Sequence, residues 1–268
     1  YDESFLADHL VFGDQVLLGV THASLAMDAF FHQFPNTSAV QLRQLRFIKP
    51  VTVRPGNSVE VQIQTEAKGD EFEFAALFRE VDSHDWETAA SGYLSPVEFS
   101  PSQIDIASLK RGLSPYLNLQ SLYPESDAIE LGDSFKIIQE LYSNKEQALA
   151  RVALSEESKQ EPHQYSLHPL IINSAFSMLA ALSEGQVSDT AFLPFGIKQI
   201  QFHNTASLNT CWLQLRLAKD SGEMVLFDVD IFTEAGALVA RLNGCSVKRV
   251  RAAINETRDV VTPARPTA

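Results

Sequence analysis

With 268 residues, 45% of them hydrophobic, the chain can bury a large core, and its length suits one large domain or two small ones. Its formal net charge of -13 disfavours nucleic acid, which needs a dense cationic surface, and no stretch reaches the roughly 18 consecutive apolar residues of a membrane-spanning helix. Cys211 and Cys245, the two cysteines, sit in no CxxC or Cys/His spacing, so neither a metal nor a disulfide framework is expected and a reducing cytoplasm fits.

The chain opens with YDESFLADHL, which has neither the basic end nor the apolar run of a signal peptide. The overlapping run DHLVFGDQVLLGV sets His9 four residues before Gly13, and Gly19 immediately before the first helical segment. A glycine at a helix start lets ligand atoms approach bare N-H groups, and the helix dipole favours negative charge there. Residues 19–34, GVTHASLAMDAFFHQF, place Ala23, Ala26, Met27, Phe30 and Phe31 at helical spacing, with Pro35 just past the end. Four strand-like runs follow at 40–48, 59–67, 71–79 and 87–94. Residues 95–130 carry Pro96, Pro101, Pro115 and Pro124 with little periodicity, as expected of a connector ordered only in part. Two strand-like pieces lie within 131–154, with Ser143 to Glu146 as their turn. SLHPLIINSAFSMLAAL, 166–182, predicts a second helix with Pro169 near its first turn, and four more strand-like runs end near Arg251. The remaining tail has no core pattern and is expected to fray or to lead into more chain.

The second half repeats the order of the first. Phe47 with Phe202, Val61 with Leu215, Phe74 with Phe227 and Gly92 with Gly244 are offset by 155, 154, 153 and 152 residues, a drift small enough to suggest duplication. A long helix wrapped by an antiparallel sheet is the hotdog arrangement. Two copies side by side predict an α+β double hotdog, one curved sheet with both helices inside. The expected division is a first hotdog at 1–96, a linker at 97–130, a second hotdog at 131–251 and a tail at 252–268. Both helices are apolar nearly all round, as that burial demands.

Against this background the polar residues of the two helices stand out, because a buried polar group is costly unless hydrogen-bonded: His22, Asn173, Ser174 and Ser177. His22 and His32 share a helix, yet no carboxylate or cysteine completes a metal set. Asp8, adjacent to His9 on an extended segment, is expected to point to the opposite face. No GxSxG, GxGxxG or P-loop pattern occurs. Two basic clusters, Arg43, Arg46, Lys49 and Arg54, and Lys248, Arg249 and Arg251, are candidate patches for an acidic ligand, with scattered solubilising charge as the plainer account.

DHLVFGDQVLLGV resembles the HxxxGxxxxP motif of the dehydratase domains of modular polyketide synthases, with His9 and Gly13 in register. SLHPLIINSAFS resembles their LHPxLLDxxxQ motif. LPFGIKQIQFH, with Pro194, resembles a third, and LGDSF stands where a YGPxF-like run is usual. The resemblance covers nearly the whole chain. It implies an acyl chain tethered to the phosphopantetheine of an acyl carrier protein, no cofactor of the domain's own, and other domains of a multidomain synthase as partners. It excludes neither a homodimer nor a monomer, and it implies neither nucleic acid nor membrane. His9 falls on the family's catalytic histidine. Leu18 stands where the motif has proline, Asn173 where it has the catalytic aspartate, and Ser177 where it has glutamine or histidine; Leu131 and Asp133 replace tyrosine and proline.

Dehydration needs a base for the α-proton and an acid for the departing hydroxide, and an amide cannot be that acid. A single histidine suffices for a reaction with no leaving group. It can move a proton from the γ- to the α-carbon of an α,β-enoyl thioester, with backbone N-H groups near Gly19 stabilising the dienolate oxygen. The pattern of a kept histidine, an aspartate changed to asparagine and a lost proline is similar to that of the enoyl-isomerase domains of trans-acyltransferase synthases, and the lost proline is expected to loosen the turn before the first helix. Two other readings stay open: a degenerate domain with a structural or docking role, and a residual dehydratase or ring-forming catalyst in which Asn173 only orients a hydroxyl.

Overall fold

The computed structural model describes residues 4–54, 56–123, 129–161, 163–182, 190–205 and 208–251; the tail after Arg251 lies outside them. In chain order the first half holds α1 (Ser4–Ala7), β1 (His9–Val11), β2 (Asp14–Val16), α2 (Gly19–Gln33), β3 (Ala39–Phe47), β4 (Thr52–Val53), β5 (Val59–Lys68), β6 (Glu71–Glu80) and β7 (Glu87–Pro96). The connection contains α3 (Ile106–Lys110), β8 (Ser114–Pro115) and β9 (Ile129–Leu131). The second half holds β10 (Ile138–Ser143), β11 (Gln147–Ala153), α4 (Glu156–Lys159), α5 (Pro169–Ser177), β12 (Thr190–His203), β13 (Thr210–Asp220), β14 (Met224–Thr233) and β15 (Leu238–Arg251).

Eleven strands form one antiparallel sheet in the order β5-β6-β7-β3-β12-β15-β14-β13-β11-β10-β8. The order reads the same outward from its centre: β3, β7, β6, β5 on one side and β12, β15, β14, β13 on the other. This is the duplication expressed as topology, and the chain is a double hotdog. Leu42, Leu45 and Phe47 of β3 have the spacing of Ile197, Ile200 and Phe202 of β12, and the two strands pair with Leu42 opposite Ile200 and Leu45 opposite Ile197.

The sheet bends along one seam. Pairing skips Gln44, Lys198, Gly244 and Asp228 in neighbouring strands, and the register shifts past Gln44 between β3 and β7 and past Asp228 between β14 and β15, with Gln44 at φ 53° and Gly244 at φ 63°. A bulge adds local twist, and a row of them curls the sheet around its helices. Gly92 lies on the same seam, where a Cβ would stand 2.8 Å from the Phe74 ring and 2.9 Å from the Arg43 carbonyl.

Inside the curl, α2 buries Val20, Ala23, Ala26, Met27 and Phe30, and α5 buries Leu170, Ile171, Ile172 and Ala175. The second helix is shorter than its sequence predicts. Pro169 keeps His168 extended, at ψ 134°, so α5 begins at the proline. It tightens into a 3-10 turn at Met178–Leu182, after the Ser174 hydroxyl has bonded back to the Leu170 carbonyl at 2.9 Å.

The connector is more ordered than its prolines suggest. Asp105 caps α3, Ile104 N-H donates to Gly236 O and Leu238 N-H to Ser102 O, and Phe99, Ile104, Ile106 and Leu109 pack against Trp212 and Phe232. Its apolar residues are too sparse to show a period but suffice as anchors. A second, four-stranded sheet, β4-β2-β1-β9, lies beyond the reach of sequence periodicity because its strands are two or three residues long. That small sheet carries His9.

Candidate functional site

His9 opens β1, opposite Leu131 of β9. The β1–β2 hairpin turns through Phe12 and Gly13, at φ 52° and 83°. Two consecutive positive φ values define the tight turn whose twist matches a hairpin, and Gly13 supplies one of them without strain. The turn brings Val16 back beside the histidine, whose Nδ1 lies 2.5 Å from the Val16 carbonyl oxygen. A carbonyl only accepts, so Nδ1 carries the proton and Nε2 presents its lone pair. The Phe135 ring stacks on the imidazole, 5.6 Å between centroids and 29° between planes. Burial holds the His9 pKa below the ordinary histidine value, opposed in part by the bond to Val16, so the neutral base is the resident form at pH 7.

Leu18 precedes α2 with φ -55°, within the range a proline would impose, and is buried. The expected loosening of this turn does not occur. Leu17 N-H donates to Val51 O at 2.9 Å and Thr21 N-H to Leu18 O at 3.0 Å, and the leucine side chain is locked in the core. Gly19 starts the helix; a Cβ there would press on the Phe47 ring at 3.1 Å, so its small size also serves packing. The N-H groups of Gly19 and Val20 precede the first intrahelical bond and point out of the helix start.

Asn173 is half-buried on α5, one turn before the buried Ser177. The start of α5 is fixed by residues that sequence reading passed over. His168 Nδ1 accepts the Leu170 N-H at 3.2 Å, and its Nε2 lies 3.0 Å from the buried Glu161 carboxylate. The same loop is tied to α2: the Ser24 hydroxyl donates to Leu167 O at 2.7 Å, and Asp28 accepts from Ser166 N-H and lies 3.0 Å from His163. Phe5 of α1 meets His168 edge-on at 5.9 Å, so the segment leading to His9 runs beside the start of α5. No hydrogen bond, ion pair or ring contact among the described residues joins His9 directly to Asn173. Pro194 lies in β12 opposite Val247, at a bulge that spares the sheet its missing N-H.

Of the first basic cluster, three members are neutralised where they stand: Arg43 grips Glu71 with two nitrogens, Lys49 pairs with Glu87, and Arg54 lies 3.6 Å from Glu80. Arg46 and Lys248 form no ion pair among the described residues. The side chains of Arg249 and Arg251 lie outside them. Glutamates of β6 and β7, distant in sequence and so invisible in a linear reading, account for the difference.

Two family models match: the polyketide synthase dehydratase domain over residues 1–78, and the polyketide synthase dehydratase N-terminal domain over residues 106–257. Polyketide synthase PksR of Bacillus subtilis (strain 168) is 33% identical over 251 residues, covering 94% of this chain and 10% of PksR. The chain thus spans about a tenth of the length of that relative. The solved trans-acyltransferase polyketide synthase enoyl-isomerase superposes with a TM-score of 0.80 at 32% identity, covering 92% of this chain and 96% of that one. The dehydratase domain from the CurJ module of the curacin polyketide synthase gives a TM-score of 0.82 at 24% identity, covering 92% and 88%. With these matches and the double-hotdog sheet, the chain belongs to the polyketide synthase dehydratase domain family.

Proposed function

We propose that this domain is an enoyl-thioester isomerase, shifting an α,β double bond to the β,γ position on an acyl chain carried by an acyl carrier protein, with His9 as its single acid-base group. The observation that carries the reading is the imidazole itself: desolvated, neutral, and held by Val16 so that Nε2 is its free basic atom. The second motif has the amide of Asn173 in place of a carboxylic acid, so an acid for a departing hydroxide is missing from its family position. Similarity to the enoyl-isomerase structure supports the same reading.

In this mechanism Nε2 removes a γ-proton. The C-H pair becomes the new Cβ=Cγ bond, the original Cα=Cβ pair moves toward the carbonyl carbon, and charge collects on the thioester oxygen. The N-H groups of Gly19 and Val20, at the positive end of α2, stabilise that oxygen. The protonated imidazole, steadied through Nδ1 by the Val16 carbonyl, then returns the proton to Cα as the thioester carbonyl re-forms. Asn173 orients the chain and transfers no proton. The tethered substrate arrives from another domain of the synthase, and Arg46 and Lys248, the members of the two basic clusters with no ion pair among the described residues, are cations available to meet an acidic carrier. The two hotdogs at 1–96 and 131–251 contribute one motif each, joined by 97–130.

An α,β-enoyl thioester on a carrier protein, incubated with the domain in deuterated water, should gain deuterium at Cα as the alkene moves. His9→Ala should abolish both. A wild-type domain that leaves the enoyl substrate unmoved and undeuterated, yet dehydrates a β-hydroxyacyl thioester through His9, would overturn the proposal.

A further inference from the structure

Asp8 precedes His9, yet its carboxylate is spent elsewhere. The Ser134 N-H donates to Asp8 Oδ2 at 2.8 Å, and the Gly132 N-H to the Asp8 carbonyl at 2.8 Å. Two bonds from one residue therefore hold the turn 132–135, which closes on itself through Phe135 N-H to Gly132 O at 3.2 Å. The approach is close: a Cβ on Gly132 would collide with the Asp8 carboxyl group. Gly132 has φ -74°, which any residue adopts, so it is the proximity of Asp8 that calls for glycine here. Among the described residues Asp8 pairs with no cation, and because Nδ1 of His9 is given to Val16, Asp8 is not the partner of the imidazole in a dyad. The far end of the clamped turn is Phe135, the ring stacked on His9.

We propose that Asp8 is a positioning residue for His9: its carboxylate and carbonyl hold the Gly132–Phe135 turn so that the Phe135 ring covers the imidazole and keeps water from it. The inference rests on the reading of His9 as the acid-base group. It makes the LGDSF run a cover for the base, latched by the residue beside that base.

The charged groups on the elements around His9 are Asp8 itself, Asp14 on β2, Glu130 on β9, and Asp133 with Lys136, an ion pair on the outer side of the turn. Removing the negative charge of Asp8 would by itself lower the His9 titration. Releasing the clamp lets water in and raises it, so the two effects have opposite signs.

The test is a titration of the His9 ring by NMR in the full chain, with kcat/KM followed against pH on the carrier-bound enoyl substrate. Asp8→Ala should move both midpoints up. If the rise is about one unit, kcat/KM on the acid limb falls about tenfold while the plateau above pH 8 changes little. Asp8→Asn keeps an acceptor oxygen and should hold the midpoint at or below that of the parent. Phe135→Leu should reproduce the Asp8→Ala rise, and the double variant should add nothing to it. Gly132→Ala, whose new methyl collides with Asp8, should open the turn and raise the midpoint by the same route, which keeps the proposal testable should Asp8→Ala not fold. A residue that serves folding alone would lower stability and leave the midpoint in place. An unmoved or lowered midpoint in both Asp8→Ala and Gly132→Ala would overturn the assignment. The ring titration decides this even if the wild-type domain proves unable to isomerise, an outcome that would instead remove His9 as the base.

Discussion

An imidazole with one nitrogen committed to a backbone carbonyl has a single free lone pair, and in His9 that atom is left with a lowered proton affinity by burial. A base must be neutral to act, so the direction of the shift fixes the expected pH dependence. The proposed isomerase activity should persist below pH 6.5, the ordinary histidine value, and fall only as the pH drops through the depressed pKa of His9, as a kcat/KM profile would reveal. At Asn173 the expectation is graded. Asn173→Ala should lower turnover by about tenfold or less, a positioning loss, against abolition by His9→Ala. The motif spacing made His9, Gly13 and Asn173 legible from the chain alone. Phe135 was legible only as one letter of LGDSF, since nothing local signals a stacking partner more than a hundred residues away, and Asp8, expected only to point away from His9, has its contact with Ser134 set by the fold.

At the scale of elements, the long strands and both helices could be read from periodicity because each buries one face or nearly all of its surface. The strands of the small sheet could not, and neither could the end of α5. Three residues contain too little alternation to register, and the change from α to 3-10 depends on a serine bonding back within the helix. The bulge seam makes an element-scale prediction. Gly92→Ala places a methyl against Phe74 and the Arg43 carbonyl, so it should destabilise the fold by about 2 kcal/mol in chemical denaturation, within the range for overpacking a close site. Gly13→Ala meets no neighbour and is strained only through its φ of 83°, so it should cost less, about 1 kcal/mol.

For the whole molecule, a second buried histidine sets a condition on stability. His22 is 2% exposed on α2, its Nδ1 has no hydrogen-bond partner among the described residues, and burial brings its pKa down to about 4. The unfolded chain binds a proton at this site near pH 6.5, well before the folded one does. Folding stability is therefore full above pH 6.5 and declines as the pH falls toward 4. Between pH 7.5 and 4.5 the wild-type domain should lose about 2 kcal/mol more than His22→Leu, measured by urea denaturation. Equal losses in the two proteins would show that His22 accepts its proton without cost in the folded state.

By itself the sequence determined the duplicated order of helix and strands, the apolar character of both helices, and the motif letters that set His9 and an amide 164 residues apart. These follow from local periodicity and residue chemistry, which a chain carries in any conformation. The tertiary structure decided which nitrogen of His9 is basic, because Val16 must first be folded back beside it. It decided which members of the basic clusters stay free, because the glutamates that neutralise Lys49 and Arg54 lie on β7 and β6, distant in sequence. It also set the turn before α2, where core packing gives a leucine the backbone angle of a proline. Each of these depends on contacts between segments distant in sequence, and only the closed sheet fixes which segments meet.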